Sequence, residues 1–99
     1  MYFLTSILCV AECGFEPTIK SERCFGYFSD KQKALRAADE NWADMHECSF
    51  NWLLIEKIPE GLHAISEEEI WYKWDDGINR WIHVEKPAWS DKIINWSIG

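Results

Sequence analysis

The chain has 99 residues, 47 % of them hydrophobic and 27 % charged, with a formal charge of −7. That length fits one domain, residues 1–99, able to bury a single core without metal or disulfide support. The acidic balance disfavours non-specific binding to nucleic acid or to an anionic membrane.

Residues 2–10 are aromatic and branched and predict a first strand. The opening "MYFLTSILCV" has no basic residue before it, and Glu12 closes it. It is too short to span a bilayer and lacks the charged start of a signal peptide. Gly14 and Pro17 predict a loop over 11–22. "RCFGYF", 23–28, predicts a second strand with Arg23, Phe25 and Tyr27 on one face and Cys24, Gly26 and Phe28 on the other. A glycine inside a strand predicts a close approach by another backbone.

"SDKQ" at 29–32 matches a capping box, with Ser29 as N-cap and Gln32 three residues on. Leu35, Ala38, Trp42 and Met45 then form a helical stripe, which predicts a helix from about 30 to 47. Its small residues are expected to lie on the Cys24–Gly26–Phe28 face. "FNWLLIEKI", 50–58, predicts a third strand with Phe50, Trp52, Leu54, Glu56 and Ile58 on one side. Glu56 stands where an apolar residue is expected. Either it turns out to water, or it is partly buried and needs a cation, for which Arg23 is the candidate.

Residues 59–69 predict a loop, and 70–75 with 80–85 predict a hairpin joined through "DDGIN". Its register stays open, and a slip of one residue would move every ring to the other face. Pro87 breaks the sheet, 85–92 predicts a helical turn, and 93–99 a last strand. The expected fold is α+β: one main helix on a largely antiparallel sheet, in the order β-β-α-β-β-β-β.

Cys9, Cys13, Cys24 and Cys48 include no C-x-x-C pair, and no paired histidines follow at finger spacing, so no metal site is expected. The thiols read as reduced, in a cytoplasmic protein. His46, His63 and His83 stand in no catalytic motif, and no glycine-rich phosphate loop is present. No catalytic residue and no cofactor are therefore expected, and the chain reads as non-enzymatic.

Seven tryptophans in 99 residues are more than a small core readily hides. Stacking on Trp or Tyr suits a flat base, and an arginine fork suits a phosphate. The candidate ligand-binding residues are Arg23, Tyr27, Trp71, Lys73, Trp74, Arg80 and Trp81. The alternative is that these rings are cross-strand pairs that hold the sheet. Charge is uneven as well: residues 1–37 carry five cations against four anions, and residues 38–99 five against thirteen, a net of −8.

The segments "ERCFGYFSDKQKALRAADENWADMHE", "WLLIEKIPEGL", "WYKWD" and "EKPAWSDKIINWSIG" resemble a family of short uncharacterised proteins of Firmicutes and of their phages and mobile elements. The resemblance covers most of residues 22–99 and is carried by R-C-F-G-Y-F, Asn41, IEKIPEGL and W-x-x-W. It implies a small accessory protein of a phage, acting in the cytoplasm of an infected bacterium. By analogy with proteins of that size and source, two functions are expected. One is a homo-oligomeric sponge that sequesters a nucleotide-derived immune messenger, of the cyclic ADP-ribose or cyclic dinucleotide type. The other is an acidic, nucleic-acid-mimicking inhibitor that binds a defence enzyme directly. Neither requires direct nucleic-acid or membrane binding.

Overall fold

A computed structural model describes residues 1–10, 18–46, 49–61 and 66–92. Five strands form one antiparallel sheet: β1 (Tyr2–Val10), β2 (Thr18–Phe28), β3 (Trp52–Lys57), β4 (Glu68–Asp75) and β5 (Arg80–Val84). The spatial order is β2-β1-β3-β4-β5. One helix, α1 (Lys31–Asp39), lies across one face. The α+β class follows the sequence, and the expected strand at 93–99 lies outside the described residues.

Both sheet faces are apolar. Leu4, Leu53, Ile55, Tyr72 and Trp81 meet α1 through Ala34, Ala37 and Ala38. On the opposite face Ile7, Cys9, Leu54 and Trp71 form a second cluster, closed by Trp52, Val84 and Trp89. Trp52, Trp71 and Trp89 pack edge to face, with centroids 5.4 to 6.4 Å apart. A strand buried on both sides reads as a continuous apolar run, and "LLI" at 53–55 is one, with all three side chains buried.

The helix departs from the expected one at both ends. Asp30, not Ser29, is the cap: its carboxylate accepts from the Gln32 backbone N–H at 2.9 Å. The helix stops at Asp39, not near 47. Asn41 takes the left-handed conformation (φ 49°), which asparagine tolerates better than most residues. Ala43 and Asp44 also have positive φ, and Trp42–Asp44 form a single 3-10 turn. Met45 is buried nonetheless, and its carbonyl accepts from the Ser6 hydroxyl at 2.7 Å. The apolar spacing therefore continues past a helix that has ended. Residue 47 lies outside the described residues.

β2 begins at Thr18, inside the expected loop, and is bulged twice. Leu4 pairs with Gly26 and Thr5 with Cys24, so Phe25 is an extra residue in the ladder. The bulge breaks the expected alternation. Gly26 and Phe28 stay on the helix side, paired with Leu4 and Tyr2. Phe25 packs on that side too, while Cys24 is exposed across from Thr5. No backbone crowds Gly26: a Cβ built there meets nothing within 4 Å. The glycine is needed for its φ of +147°.

β3 is shorter than expected. Phe50 precedes it and packs edge-on to Phe25, with centroids 6.4 Å apart. Asn51 extends the β1 ladder with its side chain, accepting from Cys9 N–H at 3.0 Å and donating to Cys9 O at 2.7 Å. In the hairpin Trp74 faces Trp81 and Asp75 faces Arg80. That leaves a four-residue loop, 76–79, with Gly77 N–H bonded to the Asp75 carboxylate.

Trp71 is 1 % exposed and central to the second cluster. Trp71→Ala is expected to cost about 3–5 kcal/mol, the range for removing a buried aromatic side chain. Urea denaturation of the purified variant measures it.

Candidate functional site

The seven candidate ligand residues are not brought together. Trp71 and Trp81, 1 % and 4 % exposed, are core residues on opposite faces, and a ligand reaches neither ring without opening the fold. For these two, the cross-strand packing alternative describes the structure. Trp74 is partly buried, edge-on to Trp81 and stacked on His46 at 3.8 Å between centroids. Its Nε1 finds no acceptor among the described residues. His46 Nδ1 lies 2.7 Å from the Phe50 carbonyl oxygen, so that nitrogen carries the proton.

The cations are also scattered. Arg80 is bonded to Asp39 at 2.9 Å. Lys73 lies over the Trp52 ring, 5.4 Å from its centroid, on the face away from the helix. Arg23 lies over Phe25 at 4.8 Å, on the helix side of β2, the edge strand. Three cations in three places do not form one phosphate clamp.

The expected pairing of Arg23 with Glu56 is not formed. Arg23 pairs in the ladder with Ser6, and Glu56 with Phe3, so the two side chains leave opposite faces of the sheet. Glu56 is 0 % exposed and does not turn out to water; its carboxylate accepts from the Ser66 hydroxyl. Glu69, beside it in the ladder, accepts from Trp71 Nε1 at 3.2 Å and from Lys86 Nζ at 3.4 Å. Glu22 is exposed as a residue, yet partial desolvation of its carboxyl, and then the nearby Glu56, raise it above its ordinary range. These groups form a polar network on the second face that the sequence reading did not assemble.

Among the described residues, two concavities lie beside the helix. The larger, about 670 Å³, runs along α1 past Gln32, Leu35, Arg36, Asp39 and Glu40 to Tyr72. Its carboxylates, Asp30 among them, outnumber its cations, Lys33 and Arg36. Burial, and then Asp39, raise the Tyr72 phenol above its ordinary value. A raised phenol contributes stability below its ordinary pKa, and that stability is lost as pH rises through the folded value. Tyr72→Phe is accordingly expected to move the alkaline unfolding midpoint to higher pH, as followed by circular dichroism.

The smaller groove, about 230 Å³, lies between β2 and the turn at 41–45. Phe25, Phe28 and Trp42 supply rings, Gly26 and Ala43 supply small surfaces, and Leu4 and Met45 are deeper. Phe28 and Trp42 meet edge to face at 5.9 Å. Trp42 is 36 % and Tyr27 59 % exposed. Tyr27 lines the groove too, although its ring packs on Phe3 at 5.4 Å. Of the seven candidates only Tyr27 lines this groove; Arg23 is linked to it only through its place over the Phe25 ring. Sequence reading missed Trp42 as a site residue because it counted that ring into the helical stripe.

Comparison of the chain with protein-family models, with curated proteins and with solved structures gives no match. Among the described residues, no cluster of His, Cys, Asp and Glu is arranged to hold a metal ion. No helix there is long and apolar enough to cross a membrane.

Arg23 is exposed and carries no carboxylate partner among the described residues. Arg23→Ala is expected to change stability by no more than about 0.5 kcal/mol, as for surface substitutions. A loss of about 3–5 kcal/mol in urea denaturation, the scale for breaking a buried ion pair, would contradict the placement of this side chain.

Proposed function

We propose that the protein is a non-enzymatic capture protein that sequesters a nucleotide-derived immune messenger in the cytoplasm of an infected bacterium. The observation that carries this reading is the aromatic groove beside β2, with Arg23 next to it. Ring walls suit a base, and a guanidinium suits a phosphate. At about 230 Å³ the groove is smaller than the roughly 300–1,000 Å³ typical of small-molecule sites. A messenger larger than one ring system extends beyond it, and a second subunit covering the rest fits the homo-oligomer expected from the sequence.

The acidic inhibitor of a defence enzyme is the second reading, favoured by the charge distribution. Lys31, Arg36, Lys57, Arg80 and Lys86 are each paired with a carboxylate. Asp44, Asp75 and Asp76 have no cation partner among the described residues, and the last two stand at the hairpin end. Such a surface suits a basic protein channel.

The deciding experiment mixes purified protein, in excess, with cyclic dinucleotides and with cyclic or amino-acid-linked ADP-ribose molecules. The expected outcome is a fall in one free messenger, with intact molecule returned when the protein is heat-denatured. Recovery of products would mark an enzyme. An unchanged free level for every messenger would remove the capture reading and leave the protein-binding inhibitor.

A further inference from the structure

We propose that Gly26 is the floor of a subsite for a flat ring, and that Arg23 selects ligands whose ring carries an anionic group. The inference deepens the capture reading by naming the ligand chemistry of that groove.

Three observations meet there. First, Gly26 faces the helix side, opposite Leu4, and a Cβ at this position would point into space with no atom within 4 Å. The missing side chain is what leaves the groove open. Second, the walls are rings. Phe25 precedes Gly26 and Phe28 follows two residues on, and Trp42 comes across from the turn to meet Phe28. Aromatic walls favour a planar, polarisable guest over an aliphatic one. Third, the guanidinium of Arg23 sits 4.8 Å from the centroid of Phe25, one of those walls. In a chain of charge −7, this cation has no carboxylate partner among the described residues. Charge complementarity therefore assigns an anion to the guest. The groove along α1 offers the reverse, since its carboxylates outnumber its cations.

The far wall is rigid enough to hold this shape. Asn41 accepts from Trp81 Nε1 at 3.0 Å and donates to Asp44 at 3.2 Å. Met45 is tied to Ser6. The left-handed Ala43 lies between these anchors, and its methyl lines the groove.

The test is a titration of the full ¹⁵N-labelled chain with AMP, adenosine and ribose 5-phosphate, read by two-dimensional NMR. AMP is expected to shift the Gly26 amide and the Trp42 indole N–H. Adenosine should do so more weakly, and ribose 5-phosphate should leave both unmoved. Trp42→Ala and Arg23→Gln should each weaken AMP about tenfold, within the range of one stacked base. Gly26→Ala fills the floor but also strains a φ of +147°. Ala43→Leu is therefore the second variant, because that residue already carries a side chain at φ 57°. It should abolish the AMP shifts while the spectrum stays dispersed. The proposal is overturned if AMP leaves Gly26 and Trp42 unmoved, or if its shifts map to the α1 groove. It is also overturned if AMP shifts Gly26 and Trp42 only in diluted, monomeric protein and dimerisation abolishes those shifts, which would place a second copy in the groove itself. AMP in the groove with no messenger depleted would sink capture and keep the subsite. Messenger depletion unchanged in Ala43→Leu would sink the subsite and keep capture.

Discussion

The bond from Trp81 Nε1 to the Asn41 side chain organises the helix-side half of this protein. A buried indole N–H needs an acceptor. Asn41 supplies one while its own backbone turns left-handed and ends the helix. The same residue thus stops α1, ties its end to the hairpin and aims the chain into the turn that bears Trp42. Arg80, next to Trp81, reaches Asp39 and adds an exposed ion pair to the same junction. Exposed pairs of this kind add little stability. The buried indole bond and the packing of Trp81 against the helix alanines hold the junction.

From that junction the two sheet faces take different roles. On the helix side three alanines let α1 come close to the sheet and pack on Tyr72 and Trp81, while further rings gather at the margins. Phe25, Phe28 and Trp42 gather at the β2 edge, and His46 and Trp74 stack toward the hairpin edge. On the other face three tryptophans lock edge to face, the buried Glu56 accepts from a hydroxyl, and the partly exposed Glu69 accepts from an indole and an ammonium. An edge strand such as β2 is an aggregation hazard unless blunted. Its two bulges and the exposed Lys20, Glu22 and Arg23 do that here. The bulge at Phe25 is also what brings Arg23, Phe25 and Phe28 to one side.

Much of the fold was legible because local chemistry and burial agreed. Residues 2–10 and 50–58 are runs rich in aromatic and branched side chains that suit strands, and the hairpin carries turn residues between ring-rich arms. The helix start was misplaced by one residue because Ser29 and Asp30 are both good caps, and only backbone geometry chooses between them. The helix end was misplaced by about eight because Trp42 and Met45 fall at helical spacing for a different reason. A left-handed turn returns the chain to the same core. The polar set Asp39, Asn41 and Asp44 was the available signal for that break.

The sequence by itself determined the α+β class, an acidic balance, an aromatic excess, and the position of the hairpin. These depend on composition and on short-range periodicity, which hold wherever the strands end up. Tertiary structure alone decided which rings are core and which line a groove. That choice depends on strand order, on a bulge that reverses the faces of β2, and on a register set by partners far away in sequence. Trp71 and Trp42 are the same residue type, yet one sits at the centre of a sheet covered on both faces. The other sits beyond the helix end, where only one side has a neighbour to cover it.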